Sequence, residues 1–227
     1  MNIPILYEDI HLSVCVKPRG VLSQTDSRGN VAMPELLAEH CGSAVYPVHR
    51  LDGEVSGVMV YAKTKQAAAK LSQLVSDHER FVKTYYAVAE SKPTPACGIW
   101  EDLLFHDRFK NKTYVVDRMR GGVKAAKLSY ETVATFEGGE VPLSLMKIRL
   151  YTGRSHQIRV QFASRGFPLV GDKRYGAKTG GELALFSHGL CFVHPITKKP
   201  MELRAVPPCD GAWAHFGELL NMEAPSR

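Results

Sequence analysis

What the chain lacks narrows it before any motif is read. No stretch approaches the ~20 consecutive apolar residues of a membrane span. The opening Met1-Asn2-Ile3-Pro4-Ile5-Leu6-Tyr7-Glu8-Asp9 has no basic segment followed by an apolar one, as a secretory leader would. The five cysteines (Cys15, Cys41, Cys97, Cys191 and Cys209) include no Cys-x-x-Cys pair. Scattered thiols suit a reducing cytosol better than a disulfide framework or a zinc site. Cys191 and His194, three apart near His188, lack further ligands at credible spacing and read as side chains of a core strand. Repeats and low-complexity segments are also missing. The expectation is a cytoplasmic protein with no membrane partner and no metal.

Acids are scarce in two places. From Lys147 to Ala177 the chain carries Lys147, Arg149, Arg154, Arg159, Arg165, Lys173 and Arg174 against the single acid Asp172. From Arg108 to Lys127 the only acid is Asp117. The whole chain of 227 residues has a formal charge of +6, which by itself argues only weakly for a polyanionic partner. Any one of these lysines is better explained by an ordinary solvated face. Two clusters flanking candidate site motifs favour a groove that tracks phosphates.

The hydrophobic share of 44% and the length suffice for a sizeable core, in one domain over 1–227 or in two closely packed lobes. Strands are expected at Leu12–Val16, Val58–Ala62, Lys83–Glu90, Thr113–Val116, Ala126–Phe136, Leu143–Tyr151, Leu185–Val193 and Met201–Val206, where apolar, aromatic and β-branched residues run or alternate. Helices are expected at Pro34–His40, at Lys65–Asp77 with Thr64 as cap, from Thr152 or Ser155 to Ala163, and at Trp213–Leu220. Helices scattered among many strands, without a regular βαβ rhythm, indicate an α+β fold with a mixed, largely antiparallel sheet and flanking helices.

The most informative run is His49-Arg50-Leu51-Asp52-Gly53-Glu54-Val55-Ser56-Gly57, which leads into the apolar Val58-Met59-Val60-Tyr61-Ala62. A buried strand bounded by turn residues places Asp52 on a loop at the mouth of a sheet, beside a cation, where an acid is poised for chemistry. This run resembles the catalytic motif of the RluA-type RNA pseudouridine synthases, with Val55 where the family usually has Thr. The resemblance continues in order along the chain. Ile5 to Asp9 and Lys17-Pro18-Arg19-Gly20 are similar to the family's opening, and Lys83-Thr84-Tyr85 to its Lys-x-Tyr strand. Gly122-Val123-Lys124-Ala125-Ala126 is similar to its Gly-Lys-x-Ala segment, spread by one residue. Thr152-Gly153-Arg154-Ser155-His156-Gln157-Ile158-Arg159-Val160 matches its third motif, with Gln161 where His is frequent. Gly171-Asp172-Lys173-Arg174-Tyr175-Gly176 and the closing segment around His194-Pro195 follow in place.

The resemblance implies the pseudouridine synthase catalytic fold and isomerisation of uridine to pseudouridine in structured ribosomal or transfer RNA, without a cofactor. It implies that Asp52 is the essential carboxylate, either attacking C1′ or removing the C2′ proton; the residues do not choose between these. Arg159 would be the cation that keeps Asp52 ionised, and Tyr85 would face the uracil near C5. Tyr86 points to the opposite face of a regular strand. Arg50 would occupy the space of the flipped nucleotide, since extrusion costs a few kcal/mol that an inserted side chain offsets. Arg154, Lys17 and Lys173 would contact phosphate or fix loops, while His49 and His156 would shape loops by hydrogen bonding. With no small basic domain read before Ile5, target choice would rest on the catalytic domain recognising a stem-loop by its shape, and no obligate protein partner is inferred.

Two other classes compete. A non-catalytic RNA-binding or RNA-chaperone protein on the same fold would not need Asp52, Tyr85 and Arg159 together. A glycosidic-bond hydrolase would need a second carboxylate paired with Asp52, and none is evident.

Overall fold

The computed structural model describes residues 3–223. In chain order its elements are β1 (Ile5–Glu8), β2 (Leu12–Lys17), α1 (Met33–Cys41), β3 (Tyr46–Pro47), β4 (Ser56–Ala62), α2 (Lys65–Ser76), β5 (Phe81–Glu90), β6 (Cys97–Asp107), β7 (Lys112–Val116), β8 (Val123–Phe136), β9 (Leu143–Leu150), α3 (Gln157–Ala163), β10 (Leu185–Val193), β11 (Pro200–Arg204) and α4 (Gly217–Met222). Short 3₁₀ turns occupy Lys173–Tyr175 and Gly211–Phe216. The fold is α+β: β1–β2, β2–β4, β3–β4, β6–β7, β6–β8, β8–β9 and β10–β11 pair antiparallel, and β4–β10 pairs parallel. No helix among the described residues is long and apolar enough to cross a membrane.

The chain divides into two compact units. The first takes the chain up to Lys83 together with Phe186–Val206; the second takes Thr84–Leu185 and Pro207–Glu223. In the first, β2 runs antiparallel along the whole of β4, from Leu12↔Ala62 to Lys17↔Gly57. On the other side of β4, β10 pairs parallel with its start and β3 antiparallel with its end. The core joins Leu12, Val14, Val58, Val60, Leu71, Phe81, Leu190 and Phe192, so α2 closes the face of β2, β4 and β10. Thr64 caps α2, its hydroxyl accepting from the Ala67 amide at 3.2 Å. Gly57 explains itself here. Its φ is +123°, and a Cβ would lie 2.3 Å from the Ser187 carbonyl oxygen, so only glycine permits the close parallel approach of β10.

In the second unit the strands lie in the order β5-β9-β8-β6-β7, and α3 packs over β6 and β7 around Leu104, Ala126, Val160 and Tyr175. Two expectations change, and one strand is added to those expected. Strand β6, eleven residues long, carries no long apolar run, and its polarity does not follow its burial, Ile99 being exposed and Asp102 partly buried; it is legible only through its partners. Helix α3 starts at Gln157 rather than at Thr152 or Ser155. The Thr152 hydroxyl is drawn instead to the Lys127 amide at 2.9 Å and to Gln157 Oε1 at 2.7 Å. The helix expected at Trp213–Leu220 is a 3₁₀ turn followed by α4.

Candidate active site

Asp52 lies in the first unit, on the loop entering β4, and is half-buried. The loop around it is tied down on both sides. Its own carbonyl accepts the Val55 amide at 3.0 Å, and Gly53 O accepts the Gly20 amide at 2.8 Å. The Ser23 hydroxyl donates to Leu51 O at 2.7 Å while accepting from the Leu51 amide at 2.9 Å. His49 Nε2 accepts the Val60 amide at 3.2 Å. Burial pushes the His49 ring down to about 3, with the nearby Lys83 adding in the same sense, so this ring is neutral and serves the loop. Arg50, between His49 and Leu51, is exposed.

Lys17 departs from one half of its expected role. Its side chain is wholly buried, and Nζ donates to Val21 O at 2.7 Å, Pro18 O at 2.9 Å and Gly53 O at 3.3 Å. An ammonium with no exposed surface and three carbonyls around it has nothing to offer an RNA phosphate. It fixes the Lys17-Pro18-Arg19-Gly20 turn to the Asp52 loop instead. Burial pushes it down to about 8, against the opposing pull of the Asp52 carboxylate.

Arg159 and Tyr85 belong to the second unit. Arg159 sits in the first turn of α3 with only 3% of its side chain exposed. Its Nε and Nη2 donate to the two oxygens of Asp172, each at 2.7 Å, in a bidentate pair on a carboxylate with no exposed surface. The guanidinium also lies over the Tyr175 ring, 5.3 Å from its centroid. The Tyr175 hydroxyl accepts the Thr113 amide at 2.8 Å and is 2.9 Å from His156 Nδ1. Burial raises this phenol, so it stays protonated. The Thr113 hydroxyl donates to Ser155 O at 2.8 Å. One tyrosine therefore joins α3, its preceding loop and β7.

The local sequence explains why Arg159 points where it does. His156 takes a left-handed conformation (φ +54°) just before α3, which turns the chain sharply into the helix. Gln157 Oε1 accepts from the Thr152 hydroxyl and from the Arg154 amide, and its Nε2 donates to Lys127 O. These bonds lace the motif to β8. Farther along α3, Gln161 Nε2 donates to Asp102 Oδ2 at 2.6 Å, and Arg165 grips the same carboxylate while covering Trp100. Gly171 (φ +74°) comes so near the Glu182 carbonyl that a Cβ would lie 2.2 Å from its oxygen, which seats Asp172.

Tyr85 is 6% exposed on β5, and Tyr86, on the alternate face, is buried near the Lys147 ammonium. The Arg154 guanidinium donates to Ala125 O at 2.8 Å, and Lys173 is exposed on its 3₁₀ turn. The two basic clusters meet in an open groove of about 540 Å³ in the second unit, lined by Lys112, Tyr114, Ser164, Lys173, Arg174 and Tyr175 among others. Part of the clusters' charge is internal, however, with Arg159 on Asp172 and Arg165 on Asp102. Asp172 and Tyr175, to which the sequence motifs assign no role, are the residues that hold Arg159 in place. The signal for Asp172 was its being the one acid in a basic run.

Residues 11–164 match the family model described as RNA pseudouridylate synthase. Among curated relatives, the uncharacterized RNA pseudouridine synthase YhcT of Bacillus subtilis is 33% identical over 92% of this chain and 70% of its own length. The dual-specificity RNA pseudouridine synthase RluA of Escherichia coli is 33% identical over 88% of this chain and 91% of its own. The tRNA pseudouridine synthase C of Vibrio cholerae is 28% identical over 88% and 89%. The solved structure of human RNA pseudouridylate synthase domain containing 4 superposes with a TM-score of 0.75 at 22% identity, covering 96% of this chain and 93% of that one.

Proposed function

Since the chain belongs to the RNA pseudouridylate synthase family, we propose that it isomerises uridine to pseudouridine in structured ribosomal or transfer RNA in the cytoplasm, with Asp52 as its essential carboxylate. The reaction breaks the N1–C1′ bond, turns the uracil, joins C5 to C1′ and releases the C5 proton. Asp52 attacks C1′ or takes the C2′ proton; both routes start from a carboxylate held still and presented at a loop edge. Arg159 supplies the positive charge for that carboxylate. Tyr85 stacks on the base and carries its hydroxyl toward C5, and Arg50 fills the stack left by the everted nucleotide. Arg154 and Lys173 steady the RNA backbone.

The observation that carries this reading is the fixation of the Asp52 loop. Lys17 on Gly53, Ser23 on Leu51 and Asp52 O on Val55 hold its backbone, while the Asp52 side chain remains half-buried rather than sealed. A protein that only bound RNA would have no use for an acid held in this way. Asp52→Asn tests it. RNA affinity is retained and pseudouridine formation, read by mapping modified positions in total RNA from cells with and without this gene, is lost. A variant that forms pseudouridine at the normal rate overturns the assignment.

A further inference from the structure

Phe109 stands at the tip of the β6–β7 hairpin and is completely exposed, with a relative accessibility of 104%. Single exposed apolar residues are ordinary on protein surfaces, so exposure alone says little. What sets this one apart is how firmly its turn is held. Strand pairing ends at Asp107↔Lys112, leaving Arg108, Phe109, Lys110 and Asn111 as the turn. Asp107 Oδ1 accepts the amides of Phe109 and Lys110 at 3.0 and 3.1 Å. From the other side Arg174 Nη1 donates to the carbonyls of Lys110 and Asn111, both at 3.1 Å. Two charged side chains thus fix the backbone under a ring that packs against nothing in its own fold. With the backbone already held, only the two side-chain torsions of the ring are left to order when a flat partner lands on it.

The surroundings say what that partner is. Phe109 is flanked by Arg108 and Lys110, both exposed. Arg174, which holds the turn, also lines the 540 Å³ groove with Lys112, Lys173 and Tyr114, and no acid lines that groove. Strand β7 continues from the turn into this wall, and Thr113 on it is bonded to Tyr175, which lies under both Arg159 and Lys112. An aromatic post beside a cationic channel is the arrangement that holds single-stranded nucleic acid: phosphates in the channel, a base on the ring.

We propose that Phe109 is a stacking post for an unpaired base of the substrate RNA other than the target uridine, with the neighbouring phosphates lying along Lys112, Lys173 and Arg174. The inference rests on the RNA reading above and names a contact that reading does not contain. The hairpin is a specificity device, because it gains only where the RNA offers an unpaired base within reach of the groove.

The test uses the full chain and a fluorescein-labelled oligouridine, with affinity read by anisotropy across a salt series. Phe109→Ala weakens binding roughly ten-fold, as loss of one base–aromatic stack does. It leaves the salt slope unchanged, because no charge is removed. Phe109→Trp binds at least as well as the wild type, whereas Phe109→Leu, apolar but not flat, falls with alanine. Lys173→Ala lowers the slope of log affinity against log salt by about 0.7, one phosphate on a single strand. In turnover, Phe109→Ala raises KM for RNA and leaves kcat alone. Equal affinity of wild type and Phe109→Ala, or wild-type binding by Phe109→Leu, overturns the post. Absence of pseudouridine made by the wild-type chain would instead overturn the isomerase reading, while the oligouridine series would still report on Phe109.

Discussion

The Asp52 loop and the Arg159 helix hold their key side chains by opposite means. Around Asp52 the bonds run from side chains to backbone: Lys17 to three carbonyls, Ser23 to Leu51, His49 to the Val60 amide. The acid itself stays half-buried. Around Arg159 the bonds run between side chains, and the cation is sealed against a fully buried carboxylate. The difference follows from what each residue must do in the proposed reaction. A group that makes or breaks a bond needs a fixed backbone and an accessible tip, whereas a group that supplies charge needs a fixed tip and little solvent to screen it.

If that contrast is right, the largest effect comes from the sealed side. Asp172→Ala removes the bidentate partner of a guanidinium that is almost without solvent, and loss of one partner of a buried pair costs about 3–5 kcal/mol. Urea unfolding followed by far-ultraviolet circular dichroism measures it. Replacing both residues, Arg159→Met with Asp172→Leu, costs much less stability than Asp172→Ala alone, because no buried charge is stranded, yet pseudouridine formation is abolished. Were the double variant as unstable as the single one, the pair would be valuable for its shape rather than its charge.

Next comes Lys17→Met, expected to cost about 3 kcal/mol because buried carbonyls lose their donor. Its pH behaviour sharpens the comparison. Lys17 falls to about 8 in the folded protein from an ordinary 10.5. Between those values the unfolded chain binds the extra proton, so this group's contribution to stability increases as pH rises through that window and is flat below it. The cationic tie between the Pro18 turn and Gly53 is lost over the same range. Activity should therefore decline above about pH 8 while resistance to urea does not. Lys83 is also pushed by burial to about 8, so Lys83→Met is the control: the alkaline limb persists in it and disappears in Lys17→Met. An unaltered limb in Lys17→Met would assign the titration elsewhere.

Much of this arrangement was legible before any coordinates. The strand after Asp52 is readable because β4 is buried from Gly57 to Ala62 and leaves an apolar run, the Thr64 cap because a threonine precedes a helical pattern, and β10 through its apolar ends Leu185-Phe186 and Leu190 to Val193. Strand β6 is not, since its residue polarity does not follow its exposure: Ile99 faces solvent and Asp102 is partly buried. The same limit applies to charge. Sequence reading counts Arg159 and Arg165 into a basic cluster, but Asp172 withdraws Arg159 from solvent, and Asp102, 63 residues away from Arg165, offsets the charge of a guanidinium that is still partly exposed. For Lys17 the sequence allows a phosphate or a loop contact, and only its burial separates those roles. Spacing gives residue types near a site; which of them face outward depends on long-range partners that a single chain does not reveal.

The smallest effect is expected at the joint between α3 and β7. Tyr175→Phe deletes the hydroxyl that accepts the Thr113 amide and neighbours His156 Nδ1, but keeps the ring beneath Arg159 and Lys112. Removing one partner of a hydrogen bond in a partly buried place costs about 1 kcal/mol, and the cation–ring contact that steadies the guanidinium survives. Stability should fall by that amount with kcat reduced only a few-fold. Tyr175→Leu, which removes the ring as well, should lower kcat further than it lowers stability, because the Arg159 tip loses its platform while Asp172 still holds its other edge. If Tyr175→Phe and Tyr175→Leu reduced kcat equally, the hydroxyl rather than the ring would be what positions Arg159, and the sealed side of the comparison would depend on a backbone-directed bond after all.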